Sequence, residues 1–302
     1  MRLRSTAGAN PLVAKSATLH SFPAAAGDQE LAELVRSSSL LSDEAIAAAQ
    51  LRQREAGIGF GDAVVELGML DRDTVDLLAA RQAGLSLLEG GDARVDPLVT
   101  AAFDPGDAYV AKVRAVRAKL TATARQSGGM PGRLRLALLS VQGGDEAAIL
   151  AANLGVVLAQ MDGGAVLVDG GMDDPALDRL FRVPNRIGLA EQLGGVALRL
   201  PVVQTAVERL WLMPAGQATA SASLVEKGSL ADAADRWNLP EANLLVYLAE
   251  RPRKSTSFGN ILEKFDAVVI AARHGVTPVA EVRRVIDDLD RHSIPIAGSV
   301  LA

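Results

Sequence analysis

Residues 140–155, SVQGGDEAAILAANLG, read as a strand end, a turn through two glycines and the start of a helix. In α/β proteins such a turn binds phosphate, because backbone N–H groups at the helix start face the anion and glycines let the chain close on it. That chemistry also needs a lysine to neutralise β/γ-phosphate charge, a hydroxyl to hold magnesium and a glycine just before them. Here Gly143, Gly144 and Asp145 are followed by Glu146, Ala147 and Ala148. A carboxylate about 5 Å from one phosphate charge costs roughly 3 kcal/mol at an effective dielectric of about 20. The helix N-terminus returns at most about 2 kcal/mol. Asp145 and Glu146 therefore oppose a nucleotide. By themselves Gly143 and Gly144 are more often a plain turn than a ligand site; if the turn descends from a phosphate loop, it has lost its ligand, and Asp145 would cap the helix so that the chain supplies its own anion. Neutralising Asp145 and Glu146 should then destabilise the fold. Asp169, at the end of a second strand, is either a residual magnesium ligand or a cap or ion-pair partner; with Ala148 in place of the hydroxyl, the second reading is preferred.

The elements that must hold these residues follow from pattern. From Arg133 onward, short apolar strands alternate with helical segments: LRLALLSV, then EAAILAANLGVVLAQM, then GAVLVDG, with ANLLVYLAE, FDAVVIAA and PIAGSVL further on. That alternation predicts an α/β fold, a mostly parallel sheet with helices on both faces. AYVAKVRAVRAKLTATA precedes it as a helix, and Asp174-Pro175 are expected to cap and open another. The chain has 302 residues, 49% hydrophobic and only 3% aromatic, so alanine and leucine fill the core. A net charge of −5 gives no electrostatic case for nucleic acid. There is no cysteine, and His20, His274 and His292 are too far apart for ligand spacing, so no metal site is expected. No apolar run reaches the roughly 20 residues a bilayer needs, and the basic N-terminus lacks a secretory core. The expectation is a cytoplasmic protein.

Residues 28–90 form a separate helical unit with an internal repeat, after an arm (1–27) expected to be disordered. ELAELVRSSSLLSDEAIAAAQLRQ (30–53) and GFGDAVVELGMLDRDTVDLLAARQ (59–82) align at an offset of 29, pairing Val35 with Val64, Leu41 with Leu70 and Ile46 with Val75. Ser42 and Asp71 are the expected N-caps. Two such copies can bury apolar faces that neither buries alone. The unit resembles the N-terminal domain of type II secretion and pilus assembly ATPases, which in its best-known form binds cyclic di-GMP. Gly61, Gly68 and Gln82 are kept, but the family's arginine positions are Glu30 and Gly59, and Ala32 and Ser39 stand for glycines. Loss of both arginines removes the groups that would stack on guanine and pair with phosphate, which argues against that ligand. A Gly-, Asp- and Pro-rich linker is expected at 91–108, followed by the main domain at 109–302.

The main domain resembles the cytoplasmic domain of bacterial tyrosine kinases, relatives of the MinD/ParA-type P-loop ATPases. The family's SAQPGEGKSTTAANLA aligns without gaps on residues 140–155, its second strand on AVLVDGGMDDPALDRLF, and its Pro-Asn-x-x-Gly-Leu and Leu-Pro-Ala-Gly landmarks on PNRIGL and LWLMPAG, where Met213 stands at the leucine. The landmarks of the fold are kept, whereas those of catalysis are replaced. Gly171 stands at the second acid of the family's second motif and Asp173-Asp174 at its arginines. Ala249 takes the third aspartate, Ala302 the final asparagine, and no tyrosine-rich tail follows. Tyr109 and Tyr247 fall in a helix and a strand. Arg114 and Arg117 match the family's oligomerisation arginines, although the preceding glutamate position is Ala111.

The resemblance implies a catalytically inactive relative, without cofactor, acting as scaffold or regulator in exopolysaccharide synthesis and export. Its partner would be a membrane polysaccharide co-polymerase (chain-length) protein that recruits it to the inner membrane. The alternative is a MinD-like positioning adaptor of a pilus or secretion system.

Overall fold

In a computed structural model, the structure describes residues 26–71, 74–75, 78, 87–130, 132–142, 144–161, 163–171, 174–195, 200–217, 230–235, 242–249 and 258–301. The chain divides into two units, Met1–Gln82 and Ala83–Ala302. The arm expected to be disordered lies almost wholly outside the described residues.

In the first unit, α1 (Ala26–Ser37), α2 (Asp43–Ala56) and α3 (Phe60–Glu66) pack around one core. The Ser42 hydroxyl accepts from Ala45 N at 3.3 Å and so caps α2 as expected. Gly57 ends that helix in the left-handed region, φ 66°. In the second copy, Thr74 N donates to Asp71 Oδ1 at 2.7 Å. The repeat is visible in burial: Val35, Val64, Ile46 and Val75 are all core residues. Gly61 is required there, because a Cβ would lie 2.7 Å from Val75 Cγ1.

The second unit is built on a seven-stranded sheet of order β3-β4-β2-β5-β1-β6-β7. The strands are β1 (Arg135–Val141), β2 (Ala165–Asp169), β3 (Val203–Gln204), β4 (Leu210–Met213), β5 (Asn243–Ala249), β6 (Ala267–Ala272) and β7 (Ile296–Leu301). Every pairing is parallel except β3 with β4. The central strands are apolar on both faces, and their alternate residues feed two cores. Leu136, Leu138 and Leu167 face the helices α4 (Ala108–Gln126) and α5 (Asp145–Ala159). Ala137, Leu139 and Val166 face the other layer. That layer holds Leu230 and Ala231 of α8 (Leu230–Asp235), Phe258 and Ile261 of α9 (Phe258–Ile261), and Val285 and Leu289 of α10 (Val279–Arg291). Two short helices, α6 (Leu177–Leu180) and α7 (Leu189–Leu193), follow β2. No helix among the described residues is long and apolar enough to cross a membrane.

The stretch expected to be a linker does not run free. Val95, Val99, Ala101 and Ala102 are buried in the same core as α5. Asn153, wholly inside α5, explains this: its Oδ1 accepts from Ala101 N at 2.8 Å and its Nδ2 donates to Leu98 O at 2.9 Å. Composition signalled turns here, but apolar residues among them are enough to anchor the segment. α5 is accordingly apolar all round, enclosed by the sheet, by α4 and by this segment.

Candidate functional site

All the parallel strands end on one edge of the sheet, and the loops that follow them form the candidate site. β1 ends at Val141, Gln142 takes a positive φ of 75°, and Gly144 follows at 120°, with Gly143 outside the described residues. Few non-glycine residues adopt such a φ, so the chain turns sharply here. α5 then begins at Asp145, with Gly144 as N-cap and no side-chain cap bond. The expectation that Asp145 caps the helix is therefore not met. Among the described residues its side chain has no hydrogen-bond partner, and it stands as an acid beside the positive helix end.

The acid that is engaged is Glu146. Its Oε2 lies 3.5 Å from Nε of Arg273, the residue just past β6. Arg273 is steered by its neighbours: its amide donates to Thr277 Oγ1 at 2.9 Å, and the Thr277 hydroxyl donates to Val141 O at 3.3 Å. The arginine thereby lies against the loop. A Cβ on Gly144 would come within 3.0 Å of Arg273 Cδ and within 3.0 Å of Glu146 Oε2. Ala147 and Ala148 face the core and are each 1% exposed. This arginine was not anticipated; its sole sequence signal is a basic residue directly after an apolar strand.

Asp169 ends β2 fully buried. Its Oδ1 accepts from Gly171 N at 2.9 Å, and its Oδ2 from Ala176 N at 3.2 Å and Leu177 N at 3.0 Å. It thus caps α6 from inside the protein, the preferred of its two readings. Asp174-Pro175 do not open that helix, which starts at Leu177; the Asp174 amide closes a turn on Gly171 O instead. Burial pushes the Asp169 carboxyl up to about 6, against the pull of its three N–H donors. Tyr247, 3% exposed in β5, is pushed up by burial and then by Asp169, Asp174 and Asp145. Among the described residues no cluster of three or more acids or histidines could hold a metal.

Beside the first turns of α5 lies an open cleft of about 470 Å³, lined by Asp145, Ala148, Ile149, Arg179 and Leu180, with Asp96 and Arg182 at its rim. Asp96 accepts from Arg182 Nη2 at 2.9 Å, so the segment before α4 is pinned to the residue after α6.

Seven strands in this order, a glycine turn after β1 and an acid closing β2 define the architecture. The α/β unit has the bacterial tyrosine-kinase fold. Solved structures that share it include the kinase domain of Escherichia coli tyrosine kinase ETK, 20% identical with a TM-score of 0.55, covering 71% of this chain and 82% of that one. The BceF tyrosine kinase domain is 20% identical with a TM-score of 0.55, covering 72% and 91%. The chimerical protein CapA2B2 is 20% identical with a TM-score of 0.55, covering 75% and 97%. No protein-family model and no curated protein matches the sequence.

Within this fold, the segments 184–189 and 214–216 are joined by hydrogen bonds. Gly188 fits because a Cβ would lie 2.1 Å from Pro214 O. Asn185 Oδ1 accepts from Gly216 N at 2.7 Å, and Leu189 N donates to Pro214 O at 2.8 Å. PNRIGL and the Pro214-Ala215-Gly216 turn thus hold each other. Arg114 and Arg117 are spent inside the chain, where Nη1 of each donates to a carbonyl, of Pro105 at 2.6 Å and of Val157 at 2.8 Å. Both are half-buried, and burial lowers the pKa of each. These bonds tie α4 to its own unit. In the first unit, Glu30 lies in α1 and Gly59 caps α3, so neither position brings a cation.

Proposed function

We propose that this protein is a catalytically inactive, tyrosine-kinase-like scaffold or regulator of exopolysaccharide synthesis and export. It would act with a membrane polysaccharide co-polymerase. The observation that carries this reading is the state of the loop after β1. The positions that would contact phosphate and magnesium are buried alanines, and Arg273 and Glu146 lie across the glycine where phosphate would sit. The acid after β2 is committed to three backbone N–H groups. Tyr247 is enclosed in the sheet. The exopolysaccharide context rests on the resemblance of residues 140–155, 165–181 and 184–195 to the kinase family and on the shared fold.

Calorimetric titration of the full chain with Mg-ATP tests the inactivity. No heat and no phosphotyrosine after incubation are expected; micromolar binding would overturn it. In cells, deletion of the gene should alter exopolysaccharide chain length, and the Arg273→Ala chain should restore it as well as the wild type does.

A further inference from the structure

Scattered apolar side chains on a surface are ordinary; their concentration on one edge is not. Seven large apolar side chains are exposed in the described part of the α/β unit, and four of them, Ile187, Val276, Val279 and Leu301, sit at the C-terminal edge of the sheet. Their exposures are 56, 53, 68 and 70%. Ile187 is held there because Leu189 N and Ala190 N donate to Pro214 O and Ala215 O, immediately past β4. Val276 and Val279 follow β6, in a loop fastened to Val141 O by Thr277. Leu301 lies opposite Ala272, one strand further out. Four strand spacings separate β4 from β6, so two apolar tips stand about 19 Å apart on the same edge.

Each tip carries a guanidinium that has no ion pair among the described residues. Arg186 adjoins Ile187, and Arg283 lies one helical turn after Val279 on the same face of α10. Arg179, also unpaired, lies between the tips. Among the described residues, the acids on this edge include Glu146 and Glu281, paired with Arg273 and Arg284, Glu191, whose oxygens accept from Gly188 N and Gln217 N, and Asp145 and Asp174, which have no ion pair. The cations that accompany exposed apolar groups are thus the free ones.

We propose that this edge is a membrane-contact surface that rests on an anionic lipid bilayer. Arg186 and Arg283 would meet headgroup phosphates, while Val276, Val279 and Ile187 enter the boundary with the acyl chains. The complement of two separated apolar tips, each with its own arginine, is a flat, deformable, negatively charged surface. Such binding is weak, reversible and salt-sensitive. It goes beyond recruitment by a partner protein, since it requires none.

The test is co-sedimentation of the full chain with vesicles of phosphatidylglycerol and phosphatidylcholine, or of phosphatidylcholine alone. Binding is expected to the anionic vesicles only. The Val276→Ser/Val279→Ser pair should weaken it about tenfold or more, and Arg186→Gln/Arg283→Gln about 20-fold, at about fivefold per arginine. All four substitutions are on the surface, and unchanged thermal melting would show that the fold persists. No binding to anionic vesicles overturns the proposal. So does binding that neither pair alters, which would assign the contact to another part of the chain, such as the basic residues before Ala26. Sedimentation velocity supplies a third arm. If the wild type self-associates, and the valine pair abolishes that while vesicle binding is absent, the edge meets a second copy and the lipid reading falls.

Discussion

Three amide donors converge on the Asp169 carboxylate, and no side-chain cation accompanies them. Burial and hydrogen bonding pull in opposite directions, and the net effect is a carboxyl raised to about 6 from an ordinary value of 3.8. Below about pH 3 the group is protonated in both states. As pH rises the unfolded chain ionises first, so the folded state loses about 3 kcal/mol between about pH 3 and about pH 7. Urea unfolding of wild type and Asp169→Asn checks this, because the stability of wild type relative to the variant should fall across that range. A difference that rose instead would mean that the three N–H bonds outweigh burial. The Glu146–Arg273 pair behaves differently. At 3.5 Å, with its side chains 52 and 37% exposed, it contributes at most about 1 kcal/mol. Asp145→Asn/Glu146→Gln should therefore melt within about 1 kcal/mol of wild type. That small effect is the reverse of what a self-capping Asp145 requires, and chemical denaturation measures it directly. The pair occupies the loop without holding up the fold.

Among the elements, α5 carries the most consequence, because Asn153 binds from inside it to the segment before α4. Asn153→Leu would leave Ala101 N and Leu98 O without their partner inside the core, a loss of about 2–4 kcal/mol. Equilibrium unfolding measures it, and limited proteolysis near residues 96–102 should become faster. The sequence revealed this helix, the central strands and the repeat of the first unit because each depends on a local period. Buried β1 and amphipathic α2 need no knowledge of distant residues to be seen. What Asn153, Arg273 and Asp169 do was not legible, because their partners lie at sequence separations set by topology. Asn153 reaches back 52 residues to Ala101, and Arg273 meets a glutamate on a different βα loop. The two-residue β3 was likewise missed: Val203 and Gln204 form a strand only because β4 offers an edge. For Arg114 and Arg117 the resemblance suggested a subunit contact beside the plainer reading of a solvated helix face; their bonds to the carbonyls of Pro105 and Val157, nine and 40 residues away, were not legible either.

The whole molecule consists of two units with separate cores, so calorimetry should show two unfolding transitions rather than one. The smaller unit, which buries less apolar surface per residue, should melt first. A single transition would mean that the two unfold as one. The order of strands in the sheet has a further consequence, for synthesis on the ribosome. β1 lies between β5 and β6, and its register pairs Arg135 with Leu244 and Leu136 with Ala267. Neither neighbour exists when β1 leaves the exit tunnel. At about 5–20 residues per second, β5 follows roughly 5–20 s later. During that interval β1 and the apolar α5 have no sheet to enter, while the first unit, complete within the first 82 residues, can already be folded. The newborn chain is then half native and half waiting, and it is in this interval that chaperones would find it.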